Sequence, residues 1–77
     1  MITVYAIKSV ERNYIYVGMS NNLNRRVTEH NTGKNRSTKA YAPFILIFWV
    51  EFENRVLARE KEKYLKSGVG KEFLRSL

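Results

Sequence analysis

Phe44-Ile45-Leu46-Ile47-Phe48-Trp49-Val50-Glu51-Phe52 is the stretch that most constrains this chain. It follows Pro43, is rich in aromatic and β-branched residues, and is shorter than an ordinary buried helix, so it reads as a buried strand and the anchor of a sheet. Two further runs supply partners. Thr3-Val4-Tyr5-Ala6-Ile7 and Tyr14-Ile15-Tyr16-Val17-Gly18 have the same character and flank the polar Glu11-Arg12-Asn13, the pattern of an antiparallel hairpin.

Between hairpin and anchor, Ser20-Asn21-Asn22 offers caps for a helix from Leu23 to Asn31, which contains no Gly or Pro and stops at Gly33. Lys34 to Ala42 is polar and aperiodic and reads as a loop. After the anchor, Glu53-Asn54 caps a second helix running to about Ser67, which Gly68 and Gly70 end. Glu72 to Leu77 adds at most a short last turn. The order β-β-α-β-α predicts an α+β domain, a three-stranded antiparallel or mixed sheet packed with helices, with residues 1–77 as one domain.

Composition narrows the function. With no cysteine and one histidine, disulfides and Cys-ligated zinc are excluded, and any metal is held mainly by oxygen. No apolar run approaches the ~20 residues of a membrane span, and no signal-peptide pattern opens the chain, so a soluble, cytoplasmic protein is expected. Fourteen Lys and Arg against seven acids give a net charge of +7, which favours a polyanionic partner. Five of these basic residues, Arg25, Arg26, Lys34, Arg36 and Lys39, fall in one polar stretch with the single acid Glu29.

Helical phase separates the charged residues. At ~100° per residue, Arg26 and His30 lie close to the Leu23/Val27 face, whereas Arg25 and Glu29 point toward solvent. On the second helix, Glu60 interrupts a stripe of Val56, Leu57 and Tyr64, a costly place for a carboxylate unless a cation compensates. Glu62 sits among basic residues where surface pairing explains it. Each residue also has a plainer reading: Arg26 snorkelling over the core edge, an Arg26-Glu60 ion pair, and tyrosines serving as core. Tyr14, Tyr16 and Gly18 share one strand face, where the glycine leaves room for a ligand.

Taken together, these residues resemble the GIY-YIG nucleases, in particular small members similar to the catalytic domain of the excinuclease. Thr3-Val4-Tyr5 and Tyr16-Val17-Gly18 stand where the two signature motifs would be. Asn21 to Asn31 looks like the family's first helix, and Ala58-Arg59-Glu60-Lys61-Glu62 like its metal-binding helix. The resemblance implies that Tyr5 or Tyr16 helps deprotonate the attacking water, Arg26 holds the scissile phosphate, His30 shuttles a proton and Glu60 binds one Mg²⁺ or Mn²⁺. Gly18, Arg25, Lys34, Arg36 and Lys39 become candidate nucleic-acid contacts, with DNA favoured over RNA, a role in repair or recombination, and a monomer or weak dimer as the working state. Three positions depart from the family pattern: Thr3 replaces a glycine, Met19 stands where some relatives carry lysine, and no asparagine follows Asn54. Two other functions compete, a nucleic-acid-binding module that does not cut and a protein-interaction domain using Trp49 or Phe52, residues whose simplest place is the core.

Overall fold

The computed structural model describes residues 1–77 and has the expected order with one helix more. The elements are β1 (Ile2–Ser9), β2 (Ile15–Ser20), α1 (Leu23–Asn31), β3 (Phe44–Phe52), α2 (Arg55–Lys66) and α3 (Gly68–Arg75), with a 3₁₀ turn at Lys39–Tyr41. The sheet is wholly antiparallel in the order β2-β1-β3.

The central strand is therefore β1, and the anchor role expected of the Phe44–Phe52 run is corrected. β3 is an edge, and Ile45 and Trp49 on it are 53% and 59% exposed. Apolar character alone does not report which strand has neighbours on both sides. The pairing with β1 carries an irregularity: Ala6 faces Phe48 but Ile7 faces Leu46, which leaves Ile47 as the extra residue. A bulge of this kind changes which side chains face which layer.

Two layers of helix cover the sheet. On one face Ile2, Val4, Ala6 and Val17 pack with Ala58, Leu65 and Leu74 of α2 and α3. On the other, Tyr5, Ile7 and Phe44 pack with Leu23 and Val27 of α1 and with Tyr14 and Tyr16. Val4, Tyr5, Ala6 and Ile7 are all inaccessible, as a central strand sandwiched between helices requires.

The helix starts follow the sequence closely. Asn22 Oδ1 accepts from Arg25 N at 3.1 Å and Asn54 Oδ1 from Leu57 N at 3.0 Å, so both expected caps are used. Gly33, at φ 77, turns the chain after α1. Asn31 then fastens the helix end to β3, its Oδ1 accepting from Phe44 N at 2.6 Å and its Nδ2 donating to Phe44 O at 3.3 Å.

The C-terminal turn expected at Glu72 to Leu77 is instead a helix from Gly68 to Arg75. Ser67 caps it by accepting from Gly70 N at 3.3 Å. Gly70 is inside this helix because a Cβ there would collide with Tyr64 O and stand 2.5 Å from Leu65 Cα. A residue read as a helix stop is a point of close helix–helix approach.

Candidate active site

The alternation of β1 and β2 sends Tyr5 and Tyr16 to the α1 face. Tyr5 pairs with Gly18 and Ile7 with Tyr16 in the antiparallel register. The two phenol rings lie 6.3 Å apart, centre to centre. Gly18 makes this packing possible, since a Cβ there would stand 2.8 Å from the Tyr5 hydroxyl and 2.9 Å from Tyr16 Cε2. The expectation that Gly18 leaves room for a ligand is thus corrected, because the tyrosines themselves occupy the space.

α1 brings the remaining groups. His30 is fully buried, its Nε2 is 3.0 Å from the Tyr5 hydroxyl and its Nδ1 is 2.8 Å from Thr38 Oγ1. Thr38 Oγ1 also reaches Asn35 O at 3.4 Å. Since a carbonyl can only accept, Thr38 donates there and accepts from His30 Nδ1–H, which leaves Nε2 to accept from Tyr5. The chain of donors runs from Tyr5 through His30 to Thr38. Burial, and then the nearby Arg26 charge, depress the His30 pKa, which favours this neutral tautomer.

Tyr5 has its pKa raised, first by burial and then by Tyr16, and the opposing pull of Arg26 does not prevail. At neutral pH its hydroxyl therefore keeps its proton and donates. Arg26 keeps its charge firmly: burial works against it, but hydrogen bonds to Tyr5 and Glu29 outweigh that. Its Nη1 is 2.8 Å from Glu29 Oε1, and its side chain is 30% exposed, within reach of a bound phosphate. Arg25 is the outer arginine, as its phase requires, at 59% side-chain exposure and 3.9 Å from Glu29.

Glu29, expected to face solvent, is instead the counter-ion of Arg26; their i,i+3 spacing was the available signal. Thr38 gives no such signal, because only the fold brings it to His30.

The phase assigned to α2 is corrected as well. Ala58 and Leu65 face the sheet, while Val56, Leu57 and Tyr64 are 71%, 46% and 46% exposed. Glu60 lies on the outer face with Arg55, Val56, Arg59 and Lys63. It interrupts no core stripe, and it does not pair with Arg26. The more enclosed carboxylate is Glu62, with a side chain 16% exposed and Oε2 3.4 Å from Lys66 Nζ. Lys66 and Lys71 in turn line a hollow of about 280 Å³ with Tyr14, Ile15, Tyr16 and Val17. Glu62 is thus the partner of a lysine that lines the same hollow as Tyr16.

Lys34, Arg36 and Lys39 are distributed along the α1–β3 connection, with Arg36 and Lys39 not enclosed by the core. Met19 packs with the α2-side core, on the face opposite Tyr16, so its lack of charge removes no cation from the tyrosine face. Phe52 packs against the same core, but Trp49, expected there, is exposed.

The stretch of chain that builds this sheet and site matches a known family. The GIY-YIG catalytic domain matches residues 1–73, and the chain belongs to that family of nucleases. Its relatives include a UPF0213 protein of Vibrio campbellii, 34% identical over 65 residues that make up 83% of this chain and 62% of that protein. Another, from Clostridium perfringens, is 34% identical over 82% of this chain and 68% of its own length. The chain thus spans somewhat under two thirds of the Vibrio relative. The solution NMR structure of a UPF0213 protein from Bacillus halodurans superposes with a TM-score of 0.57 at 29% identity, covering 99% of this chain and 84% of that one. No helix is long and apolar enough to cross a membrane.

Proposed function

We propose that this chain is a divalent-metal-dependent endonuclease that hydrolyses phosphodiester bonds in nucleic acid, DNA in preference to RNA. The observation that carries the reading is the meeting of Tyr16, Arg26 and the buried Tyr5–His30–Thr38 chain on one sheet face. The similarity to the catalytic domain of the excinuclease directs it toward DNA and toward repair or recombination.

Tyr5 is inaccessible, so it serves as a positioning residue that orients His30 and braces Arg26. Tyr16, half-buried with its ring 4.7 Å from His30, is the phenol that an attacking water can reach; once its own proton has gone to solvent, the phenolate takes a proton from that water as general base. Arg26 stabilises the charge that grows on the phosphate oxygens. His30, neutral and hydrogen-bonded at both nitrogens, holds Tyr5 in place beside Tyr16.

The metal expectation needs one change. No three His, Cys, Asp or Glu side chains lie together, so the reading relies on substrate and water oxygens as well. A hard cation that keeps its waters and takes oxygens from substrate needs one carboxylate, and the more enclosed Glu62, paired with a lysine of the Tyr16 hollow, fits this better than the outward Glu60. When bound, Mg²⁺ or Mn²⁺ would supply Lewis-acid polarisation of the phosphate.

The test is cleavage of labelled single-stranded, duplex and branched DNA and RNA with Mg²⁺, with Mn²⁺ and with chelator. Glu62→Ala and Arg26→Ala are each expected to lower cleavage by about 100-fold or more, the scale of losing one electrostatic stabiliser, while Glu60→Ala keeps it. Cutting that survives both Glu62→Ala and Arg26→Ala overturns the reading. Binding without cutting under every metal points instead to a module that only binds.

A further inference from the structure

One surface is left unused by this mechanism. Thr3, Asn21, Asn22, Asn24, Trp49 and Glu51 line an open groove of about 500 Å³ where β1 and β3 meet the start of α1. We propose that this groove seats an unpaired nucleobase stacked on Trp49, which makes single-stranded nucleic acid the preferred substrate class. The inference rests on the nuclease reading and deepens it.

Three observations carry it. The first is that Trp49 is an indole 59% exposed on the sheet face that holds the tyrosines. In register it lies directly opposite Tyr5, in a row with Gly18 on the far side. Neighbouring strands are ~4.8 Å apart, so a base on Trp49 is one strand from Tyr5 and two strands from Tyr16, on the same face of the sheet.

The second is that α1 links the groove to the site. Asn22 caps the helix at the groove, and Arg26 is one turn further on, its N–H donating to Asn22 O at 3.2 Å. A nucleotide seated in the groove therefore has its backbone directed at the arginine that holds the scissile phosphate.

The third is the chemistry of the lining. Its side chains include no lysine or arginine but do include Glu51, so they offer a phosphate no cationic partner. Amides of asparagine donate and accept at base edges, a carboxylate accepts from exocyclic amines, and an exposed aromatic face stacks any base. This combination is matched to a base and mismatched to backbone. Paired bases within a duplex cannot lay a face on a side chain at the sheet surface without unstacking first.

Trp49 is the sole tryptophan, so its emission reports the groove directly. With chelator present to prevent cutting, the full chain is titrated with a single-stranded deoxyoligonucleotide of mixed sequence, with its duplex, and with a strand of equal length lacking bases. Quenching is expected with the single strand alone. Trp49→Ala should weaken single-strand binding roughly 5- to 150-fold, measured by anisotropy of a labelled strand, and leave duplex binding unchanged. Trp49→Phe should restore most of the loss, which a merely structural role for the indole would not require. Equal quenching by the base-free strand or by duplex, or unchanged single-strand affinity in Trp49→Ala, overturns the proposal while leaving the nuclease reading intact. Failure of every nucleic acid to bind brings down both.

Discussion

The Tyr5–His30 hydrogen bond is the residue-scale feature on which the site depends, because both groups are inaccessible and neither can turn to water instead. Tyr5→Phe leaves His30 Nε2 without its donor in the interior. A loss of about 1–3 kcal/mol in denaturant unfolding is expected, the usual cost of a buried unpaired polar group. Gly18→Ala acts on the same cluster from the other side, because the new methyl meets the Tyr5 hydroxyl and the Tyr16 ring. Both rings must shift, so cleavage should fall more than stability does. pH acts through His30. Its folded pKa lies below the ordinary 6.5, so the unfolded chain takes up the proton first as pH falls. Its contribution to stability is full above about 6.5 and is lost as pH drops from there through the folded value, levelling off below it. Melting temperatures between about pH 7 and pH 5 should decline, and His30→Gln should flatten that decline; an equal slope in the variant would sink the assignment. Much of this cluster was legible in the sequence. The phase of α1 selected Arg26 over Arg25 and placed His30 at the core. The phase of α2 was not, because Ala58 is too small to mark a core face by hydropathy, and the larger Val56, Leu57 and Tyr64 drew the stripe to the outer side.

At the scale of elements, the strand runs were read to within two residues of their ends and the caps within short candidate groups, because Asn22 and Asn54 satisfy free helix N–H groups wherever the helices dock. Strand order was not, since a run of nine residues as apolar as β3 looks the same at an edge as at a centre. What protects this edge is partial: Glu51 lies on it, and the bulge between the Ala6 and Ile7 pairs disturbs its regularity. The α2–α3 corner was misread because glycine has two meanings. Gly68 has open space around it, but Gly70 has backbone where its Cβ would be. Gly70→Ala therefore has no flexible side chain to displace and must move one helix from the other. Leu65 and Leu74, both buried in the shared core, would lose contact. A destabilisation of about 1–3 kcal/mol or more is expected in thermal or chemical unfolding, whereas Gly68→Ala should be close to neutral or stabilising. Equal effects at the two positions would show that the corner is not tight.

At the scale of the whole molecule, the central β1 separates two helical layers, and the proposed catalytic groups divide between them. Tyr16, Arg26 and His30 belong to the α1 layer, Glu62 and Lys66 to the α2 layer, and the two layers meet at the β2 edge, where Tyr16 and Lys66 line one hollow. This geometry sorts the +7 charge into useful and idle cations. Lys66 and Lys71 flank Tyr16 in the edge hollow, so a strand that passes Tyr16 has its phosphates beside them. Arg55, Arg59 and Lys63 surround Glu60 on the outer face of α2 instead. Each phosphate contact made by a single strand contributes about 0.7 to the slope of log affinity against log salt. Lys66→Ala and Lys71→Ala should each make that slope shallower by about 0.7 and weaken binding at low salt, while Arg55→Ala and Arg59→Ala should change neither. Titration of a labelled single strand at several salt concentrations, with chelator present, separates the two sets. If the outer arginines alter the slope and the edge lysines do not, the substrate crosses α2 rather than β2, and the division of the site across the sheet edge is wrong.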